Sequence, residues 1–278
     1  MNRIKLYYRV LKCFLTGNIV GTGDIAGSYS RLSSCYDAEF MNVMHKYNLS
    51  LLSMLKIPKG ARILDLACGT GFNSEWLLRE CPDGVDASEG MLEEAGKRLN
   101  GTVRLIRASM LEFLEQCGEE TYDIIVCSWA LMYQPPLKVL QQCGRVLKRG
   151  GQIGIIVNSK ATLPEIRKVY RHILIHNPEK VKKLMLELPN PKNERQLRSW
   201  LRRSGLSDVK TSRGLHRFHF GSSRDAAEWV TSTGALAGFD VMVDLRDHCL
   251  KEQVSRLLSR FGTAYVTHDF VLGVACKC

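Results

Sequence analysis

The 278-residue sequence lacks the features that mark several special classes of protein. It has no apolar run of the roughly 18 residues that a membrane-spanning helix needs, so transmembrane insertion is not expected. It also has no internal repeat and no low-complexity tract. Hydrophobic residues make up 45% and charged residues 24% of the chain, which is typical of a globular protein and excludes a wholly disordered one.

The ten cysteines lack the spacings of a disulfide framework or a zinc site. None belongs to a C-x-x-C pair, no His/Cys cluster has zinc-ligand spacing, and several lie in apolar runs. The N-terminal stretch has no compact apolar segment followed by a small-residue cleavage site. We therefore expect a reduced, cytoplasmic protein without a metal. The cysteines are Cys13, Cys35, Cys68, Cys81, Cys117, Cys127, Cys143, Cys249, Cys276 and Cys278.

Positive charge is concentrated in one part of the chain. The formal net charge is +11, and the segment from Lys160 to Arg217 contains fifteen Lys and Arg residues against five Asp and Glu residues. Helices with solvated basic faces would explain this segment. The alternative is a docking surface for an acidic carrier protein, an RNA or an anionic membrane.

The hydrophobic pattern predicts a helical N-terminal arm followed by an α/β core. Residues 1–16 have apolar positions at helical spacing, with basic residues between them. Such a helix packs on its own domain or lies on a membrane surface. Glycines from Gly17 to Gly27 predict a loop, and a second helix follows at about 36–55. From 61 to 158, short apolar strands alternate with helices, which predicts a parallel sheet with helices on both faces.

The pattern is less regular after residue 158. Helices are predicted over 163–188 and 194–204, followed by a strand, further helices within 223–261 and a last strand. We expect seven strands in all, with the helices between the sixth and seventh strands forming a lid. The expected organisation is an arm at 1–60, a ligand-binding core at 61–158, and a basic helical segment with the lid and last strands at 159–278, completing the same domain.

The most informative stretch runs from Ile63 to Phe72. It combines a hydrophobic strand, a carboxylate near the strand's end, a turn with glycines and the start of a helix. Ligands of parallel sheets bind beyond the carboxyl ends of the strands. Gly69 and Gly71 would let the backbone approach a ligand closely, and the helix start offers free N–H groups. Asp65 favours a ligand that carries positive charge.

Two other nucleotide-binding motifs fit this stretch poorly. A phosphate-binding P-loop requires Lys and then Ser or Thr after its last glycine, whereas this chain has Phe72-Asn73. A dinucleotide fingerprint requires a last glycine or alanine where this chain has Ser74. A carboxylate inside the strand also has no role against a pyrophosphate.

The stretch from Asp65 to Gly71 resembles the first motif of the class I S-adenosylmethionine-dependent methyltransferases. Four further motifs of that family follow in order, so that the resemblance covers about 62–157. They are 84–88 with Met91-Leu92, Ala108-Ser109-Met110, 122–126 and 145–151. The resemblance implies a Rossmann-like, mostly parallel seven-stranded sheet. It also implies S-adenosyl-L-methionine as cofactor, S-adenosyl-L-homocysteine as product, and methyl transfer without a metal.

The resemblance also implies a role for each motif residue. Asp65 would hold the ammonium group of the cofactor, and Asp86 would accept both ribose hydroxyls. Gly69 and Gly71 would admit the methionine part, and two methionines would pack against the adenine. The expected cofactor-binding set is Asp65, Ala67, Gly69, Gly71, Asp86, Ala87, Met91, Ser109, Met110, Ser128, Tyr29 and Tyr36.

Two positions depart from the family pattern. Ala67 replaces the first glycine of the usual motif, which is a small change. Ser109 stands where the family often has an Asp that reaches the adenine amino group. That contact is weakened here, while backbone binding of the adenine remains available.

The segment after the fourth strand should border the transferring methyl group. Trp129 and Tyr133 are the candidates for shaping the substrate-binding space, because aromatic faces attract a sulfonium. Tyr133 and His268 are the catalytic candidates, should the acceptor need a base. Tyr29 and Tyr36 on the arm would close over the cofactor, with core packing as the alternative.

The acceptor is specified less clearly. Residues 159–169 and 263–277 are similar to the malonyl-acyl-carrier-protein O-methyltransferases, and trans-aconitate methyltransferases look related. This similarity implies O-methylation of a carboxylate on a small molecule or on a carrier protein docked at 160–217. Quinone and phenol methyltransferases share the core motifs equally well.

Two further function classes stay open. An RNA methyltransferase is less expected, because no N/D-P-P-Y/F tetrad follows the fourth strand and no separate RNA-binding domain is visible. The other is a regulator that binds the cofactor without catalysis, since Asp65 and Asp86 indicate binding only.

Overall fold

A computed structural model describes residues 2–38, 42–80, 82–244 and 246–278. The strands are β1 (Ile63–Leu66), β2 (Asp83–Asp86), β3 (Arg104–Arg107), β4 (Tyr122–Ser128), β5 (Leu147–Asn158), β6 (Leu206–His219) and β7 (Tyr265–Lys277). The α-helices are α1 (Asn2–Leu15), α2 (Thr22–Tyr36), α3 (Asn42–Leu52), α4 (Phe72–Trp76), α5 (Glu89–Leu99), α6 (Met110–Gln116), α7 (Pro136–Val146), α8 (Pro164–His176), α9 (Glu194–Arg203), α10 (Ser223–Ser232), α11 (Phe239–Met242) and α12 (His248–Arg260).

Two compact units divide the chain, and each is assembled from three separate segments. The helical unit comprises Met1–Phe40, Ala161–Glu187 and Leu215–His268. The sheet unit comprises Met41–Lys160, Leu188–Gly214 and Asp269–Cys278. The division falls inside β6 and β7. The expected organisation into 1–60, 61–158 and 159–278 stays a prediction about segments of the chain, whereas these units cut across two of those segments.

The strands form one sheet in the order β3-β2-β1-β4-β5-β7-β6. β1 to β5 pair in parallel, and β7 pairs antiparallel to β5. This confirms the mostly parallel seven-stranded sheet expected from the sequence. The strand order reverses between β1 and β4, which opens a crevice at their carboxyl ends.

The core of the sheet unit is built on β4 and β5. Both strands contain consecutive buried apolar residues, which is typical of central strands covered on both faces. The helix α3 packs against β5, and α7 packs against α9. Leu140 of α7 and Leu197 and Leu201 of α9 are fully buried there.

The N-terminal arm contains a helix where the glycines had predicted a loop. The prediction for Gly17–Gly27 is wrong from Thr22 onward, because α2 begins there and includes two of the glycines. Each helical glycine costs about 1 kcal/mol relative to alanine. Contacts far along the chain offset that cost: Ser28 Oγ donates to Asp240 Oδ1 at 2.6 Å, and Arg31 Nη2 donates to Asp240 Oδ2 at 2.6 Å.

The helix predicted over 163–188 is shorter in the structure. It ends at His176, and Pro178 begins a separate short 3₁₀ turn. Proline disrupts a continuing helix because it lacks an N–H donor. The side chain of Asn177 donates to the carbonyl of Ile173 at 2.9 Å and so satisfies one free carbonyl at the helix end. The helices α10, α11 and α12 lie between β6 and β7 as expected, and their action as a lid stays a prediction.

Three findings bear on other classes of site. The described cysteines are all free thiols, and Cys81 lies outside the described residues. Within the described part of the chain, no group of three His, Cys, Asp or Glu residues could hold a metal ion. None of the described helices is long and apolar enough to cross a bilayer.

We predict that two helical glycines of the sheet unit respond oppositely to alanine. A Cβ at Gly144 would lie 2.7 Å from the carbonyl oxygen of Ser204, so Gly144→Ala should lower the free energy of unfolding by about 1–3 kcal/mol. A Cβ at Gly96 would lie 4.0 Å from Leu105, so Gly96→Ala should be neutral or stabilising by up to ~1 kcal/mol. Urea denaturation measures both, and equal effects would contradict the packing of α7 against the end of α9.

Candidate active site

Several residues in the loop after β1 have a backbone conformation that residues other than glycine rarely adopt. Ala67, Gly69 and Gly71 have φ angles of 62°, 55° and 83°, in the left-handed region. A Cβ at Gly71 would lie 3.0 Å from Leu99 of α5, so a larger residue would press on that helix. A Cβ at Gly69 would meet no described heavy atom within 4 Å. The loop therefore has open space beside Gly69, where a ligand can approach the backbone.

Asp65 lies at the end of β1 and is fully buried. Ser74 Oγ donates to one carboxylate oxygen at 2.7 Å, and Asn73 Nδ2 donates to the other at 3.3 Å. Burial raises the pKa of Asp65 to about 6, although these hydrogen bonds favour the charged form. Both partner side chains are neutral. A cationic ligand group beside this carboxylate would therefore stabilise its charge.

Asp86 lies at the end of β2 and connects two loops. One carboxylate oxygen accepts from the backbone N–H of Gly69 at 2.9 Å, and the other accepts from that of Ser88 at 2.8 Å. Burial raises its pKa, while these hydrogen bonds lower it. Each oxygen can accept a further hydrogen bond. Asp86 therefore positions the glycine loop and can still receive hydroxyl donors.

A chain of buried amides joins this region to α3 and to the end of β4. Asn48 Nδ2 donates to Asn73 Oδ1 at 3.0 Å, and Trp129 Nε1 donates to Asn48 Oδ1 at 2.7 Å. Asn73 Nδ2 also donates to Ser128 Oγ at 3.1 Å. We call Asn48, Asn73, Ser128 and Trp129, together with Asp65, the asparagine network. It links four elements: α3, β1, α4 and β4.

Trp129 has a strained backbone and a fixed ring. Its φ is 61°, which is unusual for a bulky residue. Its backbone N–H donates to the carbonyl of Ile156 at 2.7 Å. The indole ring lies edge-on to Phe270, with ring centroids 5.2 Å apart. Tyr133 follows in a single 3₁₀ turn and is half-buried against the core. Ser128 is joined to Asp65 through Asn73, and Trp129 is joined to it through Asn48 and Asn73. The roles of Ser128 and Trp129 toward cofactor and substrate stay predictions.

The residues expected around the adenine have structural partners. Ser109 caps α6: its N–H donates to Glu112 Oε2 at 2.9 Å, and its hydroxyl accepts from the N–H of Glu112 at 3.4 Å. Met110 is buried beside Cys127. Met91 is also buried, and Ala87, which follows Asp86 in the chain, is half-buried. Their contacts with adenine stay predictions.

Three other candidates belong to the helical unit. Tyr29 and Tyr36 pack edge to face with ring centroids 5.8 Å apart, against the backbone of Gly234. His268 is buried, and its ring lies edge-on to Phe218 at 5.6 Å. Burial, with a smaller contribution from a second histidine, lowers the pKa of His268 to about 3. His268 is therefore neutral near pH 7, and the roles of all three in the reaction stay predictions.

Sequence reasoning missed Asn48 and treated Asn73 only as a mismatch to the P-loop motif. A buried amide in an otherwise apolar helix, as at Asn48 in α3, is the available signal. Its partner lies 25 residues away, and no spacing rule connects them.

The central motifs match a known family. Residues 63–151 match a family model whose description is a methyltransferase domain. Residues 63–151 form a class I methyltransferase domain. The methyltransferase domain lies within the sheet unit and includes β1 to β4 with the glycine loop.

Curated relatives match a larger part of the chain than this domain. The demethylmenaquinone methyltransferase of Staphylococcus epidermidis is 28% identical over 161 residues, which covers 53% of this chain and 62% of that protein. The chain thus spans less than two thirds of the length of the curated relatives that it matches.

Solved structures share the fold over most of the chain. The YcgJ protein of Bacillus subtilis has a TM-score of 0.57 at 16% identity, covering 84% of this chain and 98% of that one. A SAM-dependent methyltransferase of Thermotoga maritima has a TM-score of 0.55 at 16% identity, covering 91% and 100%. At this identity the likeness establishes the fold of the methyltransferase domain and its flanking strands.

We predict that Asn48 supports the site as well as the fold. Asn48→Ala leaves Trp129 Nε1 and Asn73 Oδ1 without a partner and should lower the unfolding free energy by about 1–3 kcal/mol. It should also weaken S-adenosylhomocysteine binding by roughly tenfold in calorimetric titration.

Asn177→Ala is the matched control, because its amide is buried and donates to Ile173 and Gln253 in the helical unit. It should cost similar stability and leave the affinity unchanged. An equal loss of affinity in both variants would refute a specific role for the asparagine network.

Proposed function

We propose that this chain transfers a methyl group from S-adenosylmethionine to a small-molecule acceptor. The observation that carries the proposal is the arrangement at the carboxyl ends of β1 and β2. There Asp65 and Asp86 lie beside the glycine loop, whose residues include several with left-handed φ angles, at the reversal of strand order. Open parallel sheets bind their ligands at this place. The match of residues 63–151 to a methyltransferase domain supports the same conclusion.

The residues present suit the cofactor. The buried carboxylate of Asp65 would be stabilised by an ammonium group, and Asp86 can accept hydrogen bonds from two hydroxyls. The open space at Gly69 allows close approach to the backbone. When bound, S-adenosylmethionine supplies an electrophilic methyl group on a sulfonium.

The chain's own residues would orient the acceptor and exclude water. In-line displacement requires a nucleophile placed directly behind the methyl carbon in a dry site. Trp129 offers a fixed aromatic face at the end of β4, because Asn48 and Phe270 hold its ring. Tyr133 follows it within one turn. These two side chains are the proposed acceptor-binding residues.

The need for a base depends on the acceptor. A carboxylate is already ionised, whereas a phenol or a reduced quinone gains from deprotonation. Tyr133 and His268 stay the proposed catalytic candidates. Burial lowers the pKa of His268 to about 3, so that its imidazole is neutral near pH 7 and is a weak base.

For the acceptor we propose a reduced quinone, supported by relatives named demethylmenaquinone methyltransferase. A carboxylate on a small molecule or an acidic carrier protein is the second candidate, supported by the resemblance of 159–169 and 263–277. Part of the basic segment is engaged within the protein, since Lys183 pairs with Asp24. A nucleic-acid acceptor is not proposed, and a cytoplasmic location stays a prediction.

We predict that replacing the two aspartates of β2 with alanine has different effects on the affinity for S-adenosylmethionine. Asp86→Ala should weaken S-adenosylmethionine binding at least about 100-fold, because the loss of its charge-assisted hydrogen bonds also releases the glycine loop. Asp83→Ala removes an exposed pairing with Arg104 and a hydrogen bond from Tyr122 at the other end of β2. It should leave the affinity nearly unchanged. Calorimetric titration measures the affinity of both variants. If the wild-type protein binds neither S-adenosylmethionine nor S-adenosylhomocysteine, the proposed cofactor-binding site is wrong.

We further predict that labelled methyl groups are transferred to reduced naphthoquinones and that Asp86→Ala abolishes the transfer. Carboxylic acids, acyl-carrier conjugates and RNA form the comparison panel. Labelling of a carboxylate would replace the quinone proposal with the second candidate. Cofactor binding without transfer to any acceptor would favour a non-catalytic regulator.

A further inference from the structure

The helix α1 has two different faces, and only one packs on the protein. On the packed face, Arg9 Nε donates to the carbonyl of Val181 at 2.7 Å, and the buried Cys13 thiol lies 3.8 Å from the carbonyl of Lys182. The helix α8 also packs against α1. These contacts fix which side of α1 faces away from the helical unit.

The opposite face carries six large apolar side chains. They are between 54% and 74% exposed, although side chains of this kind are usually buried. At 100° per residue they fall within an arc of about 120°. They are Ile4, Tyr7, Tyr8, Leu11, Phe14 and Leu15, which we call the α1 apolar face. A contiguous exposed patch of this composition is typical of an interaction surface.

Positive charge borders the α1 apolar face on both sides. Arg3 lies beside one edge of the arc, and Lys5 and Lys12 lie beside the other, all three exposed. The helix contains no acidic residue. A second copy would bring two such basic helices together, and their like charges would oppose pairing. The complementary surface is apolar with anionic groups at its border.

We propose that α1 docks the protein on an anionic lipid bilayer. The α1 apolar face would enter the interface, and Arg3, Lys5 and Lys12 would lie among lipid phosphates. Tyr7 and Tyr8 suit that depth, because each has an apolar ring and a polar hydroxyl. A helix of 14 residues is too short to cross the bilayer, so the helix lies in its surface. This inference does not depend on the proposed methyl transfer.

Vesicle sedimentation with the full chain tests the proposal. The protein should bind vesicles of phosphatidylcholine that contain phosphatidylglycerol, and Leu11→Ser with Phe14→Ser should lower the affinity at least about tenfold. The matched control is Leu186→Ser with Leu215→Ser, which makes the same kind of change at two exposed side chains outside α1. Its affinity should equal that of the wild type. Circular dichroism confirms that each variant is folded.

The charge requirement has a separate test. Lys5→Gln with Lys12→Gln should weaken binding roughly fivefold for each lysine removed, and added salt should weaken wild-type binding. Equal binding to vesicles of phosphatidylcholine alone would overturn the proposal. So would a folded protein that binds neither vesicle. Self-association that Leu11→Ser with Phe14→Ser abolishes would assign the face to a second copy.

Discussion

The burial of the Asp65 carboxylate is the constraint on which the polar interior of the sheet unit depends. A carboxylate removed from water is costly unless hydrogen bonds or an opposite charge compensate for it. Ser74 and Asn73, from the helix that follows the glycine loop, provide the hydrogen bonds. Because compensation by these neutral groups is incomplete, the pKa stays raised to about 6. A positively charged group beside Asp65 would therefore stabilise its ionised form.

The hydrogen bonds to Asp65 continue through buried amide side chains into α3 and the end of β4. Asn73 donates to Asp65, and its carbonyl oxygen accepts from Asn48 of α3. Asn48 in turn accepts from Trp129, whose left-handed backbone stands at the end of β4. Strained residues persist where surrounding contacts over-determine them, and such places are often functional. The network holds the carboxylate and the aromatic face in one fixed arrangement before any ligand binds.

The helical unit carries residues of a different character. His268 lies edge-on to Phe218, and burial lowers its pKa to about 3, so that it is neutral near pH 7. The α1 apolar face belongs to the same unit. The sheet unit contains the residues that match a methyltransferase domain, whereas the helical unit lies outside that match. Specificity in such folds usually resides in elements added to the common core.

The local sequence pattern was sufficient to predict the strands and helices of the central segment of this protein. The sequence alone predicted the alternation of short strands and helices over 61–158, because hydrophobic period, caps and turn residues act over a few positions. It also determined the family, since five short motifs occur in order along one strand-and-helix alternation. The carboxylates Asp65 and Asp86 could be recognised from their places at strand ends.

Only the tertiary structure decided which distant residues meet. It showed that α2 forms despite its glycines, because Asp240 binds it from more than 200 positions away. It likewise placed Asn48 against Asn73 and Trp129, and it buried His268 among aromatic rings. Such contacts depend on how whole elements pack, and neither propensity nor spacing in one sequence encodes that packing locally.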